Sequence, residues 1–229
     1  MGRAFDGSYA EYALLPNEQI YPVDSQLPWS EIAAVPETYY TAFGSFKNLQ
    51  IKEGDSILVR AATSGVGLAF LKLVKAQFPQ NRVVGAVRSL AKKDLLQYLG
   101  FDEIILDKKG VLQTEEKFDK ILELVGPATL KNSFDHIQSA GIICNTGQLG
   151  GKWYVEEFDP IVEIKNNSFL TSFYSGNVSQ QFIDELFSYI DAYQINVSPQ
   201  RIFSLEQIPA AHSYIESQAG FGKVVVLND

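Results

Sequence analysis

Between residues 56 and 74 the chain reads SILVRAATSGVGLAFLKLV. The apolar run Ile57-Leu58-Val59 stops at a cluster of small residues, Ala61 to Gly67. Apolar positions then return at Leu68, Leu71 and Val74. A short unbroken apolar run followed by apolar residues three or four apart predicts a buried strand, a tight turn and a helix. The alternation continues downstream. It predicts strands at 56–60, 82–87, 103–106, 119–124, 141–145 and 168–174, and helices near 65–78, 89–99 and 127–138. Parallel strands need long crossovers, so this pattern predicts an α/β fold, a parallel sheet with helices on its faces.

The two ends read differently. Residues 1–35 are expected to be mostly extended, with β-type residues around Tyr9 and Tyr12 and breaks at Pro16, Pro22 and Pro28. "SEIAAV" forms a short helical patch for which Ser30 is placed as an N-cap. After Tyr174 come a long helix at 179–193, the stretch "RIFSL", a short helix at 208–217 and a last strand, "KVVVL". This tail is expected to join residues 1–35 in a partial second domain. No internal repeat is visible.

Composition narrows the function classes. A net charge of −8 argues against nucleic-acid and anionic-membrane partners, because polyanions are repelled. The one cysteine, Cys144, leaves no partner for an internal disulfide and fits a reducing compartment. No apolar run reaches the roughly 18 residues of a membrane span, and no signal-peptide pattern follows Met1. A cytoplasmic protein is expected.

A strand that enters a helix through small residues lets backbone N–H groups approach a pyrophosphate, aided by the helix dipole. The turn Ser64-Gly65-Val66-Gly67 has that character but lacks the G-x-G-x-x-G spacing, and a purely structural turn has the same pattern. The second strand and its end sharpen the reading. A ribose-binding acid is expected about 20 residues on, yet no acid occurs between Gly65 and Asp94, and Val87 is followed by Arg88, Ser89, Lys92 and Lys93. Cations without a carboxylate favour a 2′-phosphate, hence NADP(H). Lys92 and Lys93 also fit a solvated helical turn, which leaves Arg88 as the sharper candidate.

"GSYAEYALLPNEQIYPV", "AAVPETYYTAF", the Ala61-x-x-Ser64-x-x-Gly67 turn, "ILELVGPATLKNSF", "GIICNTGQLGGKW" and the closing "GKVVVL" occur in that order. Together they resemble the medium-chain dehydrogenase/reductase superfamily, in its zinc-free NADPH:quinone oxidoreductase, or zeta-crystallin-like, branch. The resemblance implies a Rossmann doubly wound parallel sheet over 38–176. It also implies remnants of a GroES-like catalytic β domain at both ends, 1–37 and 177–229. Most of that domain precedes "GSYAEY" in the family, so part of the substrate cleft is expected to be missing.

The resemblance also assigns roles. Thr41 opens the helix leading into the sheet, at the nicotinamide end of the cleft, and Tyr39 and Tyr40 border that cleft. Ser64, Gly65, Val66 and Gly67 cover the pyrophosphate, while Arg88, Ser89 and Lys93 meet the adenosine phosphate. The Val125-Gly126 turn ends the fourth strand. Thr146, Gly147 and Leu149 follow the fifth, where glycines after a buried strand let a flat ring approach the backbone. Phe169, Leu170 and Thr171 lie near the carboxamide, on a strand whose stretch 169–175 is expected to pair two copies in a homodimer.

No metal is expected. Catalytic zinc needs three converging protein ligands, and His136, His212 and Cys144 are widely spaced. In zinc alcohol dehydrogenases a ligand falls near the position of Glu37, but "PETYYTAF" is similar to the zinc-free branch. Cys144, inside an apolar strand, reads as a core residue. The implied activity is hydride transfer from NADPH to an electrophilic conjugated carbonyl, such as a quinone or enone. Two rivals remain: a zinc-type alcohol dehydrogenase whose ligands lie upstream, and a cofactor-binding module without turnover.

Overall fold

The structure, a computed structural model, describes Gly7, residues 9–217 and residues 222–228. The rest of the opening segment expected to be extended, residues 1–6 and Ser8, lies outside the described residues. The chain divides into two compact units, Thr41–Gly176 and Met1–Tyr40 with Asn177–Asp229. The division falls inside one helix, α2 (Thr38–Leu49).

The larger unit is a seven-stranded sheet: β1 (Ile57–Arg60), β2 (Val83–Val87), β3 (Glu103–Lys108), β4 (Val111–Leu112), β5 (Phe118–Glu123), β6 (Ile137–Asn145) and β7 (Phe169–Ser172). The spatial order is β4-β3-β2-β1-β5-β6-β7. Only β4 is antiparallel, folded back on β3. The other six have the doubly wound order, which reverses between β1 and β5 and leaves a crevice at the carboxyl ends of those two strands. Right-handed crossovers then place α3 (Gly65–Gln77) and α4 (Lys93–Tyr98) on one face and α5 (Leu130–Asp135) on the other, and a short helix, α6 (Pro160–Glu163), precedes β7. Under α5, Leu58, Val84, Ile121 and Ile143 pack with Phe118, Leu130, Phe134 and Ile137 in one buried cluster.

Several expected elements differ in extent. The segment 127–138 is helical only over α5. Gly126, at φ 87°, delays the helix start, and the chain is already paired with β5 at Ile137. A register shift and Ala140 at φ 57° then carry β6 on to Asn145. The helix expected at 89–99 is a 3-10 turn, Leu90–Lys92, followed by α4. α2 opens at Thr38, so Thr41 lies inside it instead of at its start.

In the smaller unit the described residues before Val35 form no strand. Tyr12 and Leu14 are almost fully exposed, and a 3-10 turn occupies Asn17–Gln19. Helix α1 is Trp29–Ile32. Pro28 stands at its N-cap and pre-sets the turn, so Ser30 lies within the helix and caps nothing. Helix α7 (Gln180–Ala192) is capped by the Ser179 hydroxyl, which accepts from Phe182 N. β8 (Arg201–Ser204) and β9 (Val224–Leu227) pair in parallel, with α8 (Ile208–Glu216) between them in the chain. Among the described residues no helix is long and apolar enough to cross a membrane.

Candidate functional site

β1 is buried throughout and ends at Arg60. Ala61 turns the chain at φ 58°, and Ser64, in extended backbone, caps α3 by accepting a hydrogen bond from Gly67 N at 3.1 Å. A Cβ on Gly67 would lie 3.1–3.2 Å from Ala61 O, Ala62 O and Ser64 Oγ, so a bare glycine lets the helix start this close to the strand. The first amides of α3, at Gly65 and Val66, have no intrahelical acceptor and are only half-buried. The turn therefore offers donors where an anion would be favoured.

β2 runs beside β1, with Ala86 opposite Arg60, so Arg88 follows two residues beyond the end of β1. Arg88 is exposed and makes no hydrogen bond or ion pair among the described residues. Ser89 accepts from Ala91 N at 3.3 Å, which orients its hydroxyl at the start of the 3-10 turn. Lys93 is also exposed.

The turns after β5 and β6 are strapped together. Thr146 N and Gly147 N donate to Glu123 O at 2.9 and 3.2 Å, Leu149 N to Leu124 O at 3.2 Å, and Gly150 N to Val125 O at 2.9 Å. A Cβ on Gly147 would stand 2.2 Å from Leu124 O, and one on Gly126 would stand 2.3 Å from Gly147 O. Loop against loop accounts for these glycines. The space beside them is filled by the neighbouring backbone. Leu149, just beyond, is two-thirds exposed.

Below these turns lies a charged cluster that sequence reasoning missed. Arg60 and Glu123 are completely buried, and Asp107 nearly so. The Arg60 guanidinium donates to Asp107 Oδ2, to Gly110 O and Thr129 O at 3.1 and 3.2 Å, and to Asn132 Oδ1 and Ser133 Oγ at 3.1 Å. Its Nε is 3.7 Å from Glu123 Oε2. The available signal was a charged residue closing the apolar run "ILV" in β1 and again closing "IL" in β5.

A second polar group joins α2 to the ends of β6 and β7. Ser45 Oγ donates to Thr41 O and contacts Thr146 Oγ1, both at 2.8 Å, and Cys144 Sγ lies 3.3 Å from Thr146 Oγ1. Asn48 Nδ2 donates to Ser172 O at 2.8 Å. Thr41, Ser45 and Asn48 share one helical face, a spacing that would have revealed Ser45 and Asn48 in the sequence. Thr41 Oγ1 and Asn145 Oδ1 are buried without a hydrogen-bond partner among the described residues. Burial pushes the Cys144 thiol pKa up, which keeps it protonated and a poor nucleophile. Phe169 and Leu170 lie on the β7 edge, exposed, with Thr171 opposite Cys144.

Tyr39 and Tyr40 are buried in the smaller unit. Tyr40 OH donates to Asn177 O at 2.9 Å, and its ring meets Phe182 edge-on. Tyr39 OH reaches Asn196 O at 3.5 Å, and burial raises its pKa. His136 Nδ1 contacts Glu116 O, and His212 contacts Tyr9 OH, both at 3.0 Å. Glu37 is exposed at φ 65°. Among the described residues no three His, Cys, Asp or Glu side chains form a metal-binding group, so they do not fit a zinc ion. The α3 turn, the unpaired Arg88 and the two orphaned buried oxygens do fit a dinucleotide.

Three comparisons give this geometry a context. A probable quinone oxidoreductase from Schizosaccharomyces pombe is 25% identical over 235 residues, covering 96% of the chain and 70% of that protein. The chain spans only 8% of another, much longer curated relative. Among solved structures, Bacillus subtilis yhfP with NAD bound is 23% identical, covers 97% of the chain and 70% of its own, and superposes with a TM-score of 0.80. Mycobacterial Rv1454c complexed with NADPH, 21% identical, covers 90% and 66%, with a TM-score of 0.70. A family profile described as zinc-binding dehydrogenase matches residues 99–226, more than half of the chain. The chain therefore belongs to the zinc-binding dehydrogenase family, and its curated relatives include quinone oxidoreductases.

Proposed function

We propose that this chain carries the nucleotide-binding part of an NADP(H)-dependent oxidoreductase that reduces a conjugated carbonyl, such as a quinone or enone. In this reading residues 1–37 and 177–229 are what the chain holds of a GroES-like catalytic domain. Bound nicotinamide supplies the hydride. The chain's residues bind and orient. The amides of Gly65 and Val66 at the α3 N-terminus take the pyrophosphate, and Arg88 with Ser89 takes the 2′-phosphate. Thr41 and Asn145 present oxygens that a bound carboxamide would satisfy. That two solved neighbours hold NAD and NADPH supports a pyridine nucleotide of either kind.

The observation that carries the choice of NADP(H) is the exposed, unpaired Arg88 at the end of β2, with no acid between Gly65 and Asp94. A carboxylate there would repel a 2′-phosphate, whereas a guanidinium forms a two-pronged, charge-assisted pair with phosphate oxygens. A hydrogen bond to a charged group is worth roughly 1.5–3 kcal/mol. Arg88→Ala should therefore weaken NADPH binding by about 10- to 150-fold and change NADH binding little. Calorimetric titration of both nucleotides into both proteins checks this. Equal losses would assign Arg88 to adenine stacking, and a wild type that prefers NADH would remove the NADP(H) assignment.

A further inference from the structure

We propose that Arg60 and Glu123 are positioning residues for the nucleotide, holding the turns at the β1/β5 crevice in place from beneath. The inference rests on the nucleotide-binding reading above. Glu123 closes β5 one residue past the Val59–Leu122 pair, beside Arg60 at the end of β1. Its Oε1 accepts from Val125 N at 2.9 Å and Gly126 N at 3.0 Å, and its Oε2 accepts from the Ser133 hydroxyl. One carboxylate thus holds both amides that open the turn after β5. Gly126 in turn touches Gly147, so the turn after β6 rests on the same support.

Arg60 holds Glu123 and the surroundings of that turn together. It bonds Thr129 O at the N-cap of α5 and Ser133 Oγ within that helix, Asp107 near the end of β3 and Gly110 just beyond it. Asp107 Oδ1 accepts from Gly110 N at 2.7 Å, which satisfies the second buried carboxylate. Stability alone is a weak reason for such a cluster, because well-packed apolar residues commonly replace a buried ion pair without loss. What apolar residues cannot do is accept two backbone amides and fix a turn at φ 87°. The rest of the crevice lacks another anchor of this kind among the described residues.

The test compares nucleotide affinity with thermal stability in four variants of the full chain. Glu123→Ala removes the acceptor, Glu123→Gln keeps an oxygen for the two amides, and Ser133→Ala loosens the carboxylate more mildly. Phe134→Leu perturbs the same core layer away from the crevice. NADPH affinity is measured by calorimetry at a temperature where melting curves show each variant folded. Glu123→Ala should weaken binding by about tenfold or more, as loss of a support for a binding group does. Ser133→Ala should fall between it and wild type. Glu123→Gln should recover most of the affinity, and Phe134→Leu, at a similar loss of melting temperature, should keep it. If Glu123→Ala does not fold, Ser133→Ala set against Phe134→Leu decides. Affinity that tracks melting temperature alike in all variants, or an unchanged affinity in Glu123→Ala or in the deciding Ser133→Ala, would overturn the proposal. A wild type that binds neither nucleotide overturns the nucleotide reading itself, and the positioning role with it.

Discussion

Gly147 faces Leu124 so closely that even a methyl group has nowhere to go: its Cβ would stand 2.2 Å from the carbonyl oxygen and 2.7 Å from the Cα. Both atoms are backbone, tied by the Leu149–Leu124 hydrogen bond, and cannot swing aside as a side chain could. Gly147→Ala should therefore destabilise the fold by about 1–3 kcal/mol, the usual cost of overpacking. Urea denaturation checks this, and an unchanged midpoint would mean that the two turns separate easily. The same residue shows what a sequence conveys at this scale. That glycine is required after a buried strand could be read from "NTGQLGG". What approaches it could not, because the β5 turn that fills the space lies some 20 residues earlier in the chain. Arg60 and Glu123 escaped notice for a related reason. A charged strand end usually reaches solvent, and only the folded neighbours show that these two do not.

Among the elements, α3 was the most readable, since the Ser64 cap and the apolar stripe from Leu68 to Val74 agree with each other. The segment after β5 misled for a physical reason. Leu130, Phe134 and Ile137 have helical spacing and do enter one core cluster, but Ile137 reaches it from a strand. α2 was expected only through the resemblance, as the helix that Thr41 opens; its pattern hid it, because its aromatic, β-branched and glycine residues are poor helix formers held in place by burial. β5 also carries an unexpected burden. Lys120 is buried, with Asp55 Oδ2 at 3.8 Å as its ion-pair partner. Burial lowers its pKa and outweighs the opposing pull of Asp55 and Asp119, while Lys52 adds to the lowering. The folded state thus binds fewer protons than the unfolded chain between the lowered value and the ordinary lysine value, so stability rises with pH through that window. Replacing the amine with a methyl thioether, Lys120→Met, should raise stability at neutral pH and remove that rise. Denaturation midpoints from pH 7 to 10 for both proteins read the difference directly, and parallel profiles would refute it.

For the whole molecule, the alternation of strands and helices was enough to predict the parallel sheet and the turns at the carboxyl ends of its strands. The antiparallel β4 was too short to leave a signal. We propose that two copies join through β7. It is the last strand of the sheet, and among the described residues no strand pairs with its outer side. The stretch 169–175 has no charge and no proline, and Phe169 and Leu170 are exposed. Light scattering at tens of micromolar should give twice the 25.5 kDa chain mass, and Leu170→Lys should return it to one. A monomeric wild type would leave β7 as an edge protected in some other way.

The position of Arg60 also bears on how the chain reaches this fold. Ser56 and Asp119, which flank the β1–β5 pairing, are 63 residues apart, and the arginine's other carboxylate waits on β3. Pairings this distant are slow to form, because chain entropy is lost before any contact compensates. A half-assembled sheet would have to strip water from a guanidinium that still lacks its acids. Partial structures that close around β1 alone are thereby penalised. The central strand completes its burial only when both of its acidic partners have arrived, so the sheet is driven to form as a single cooperative unit.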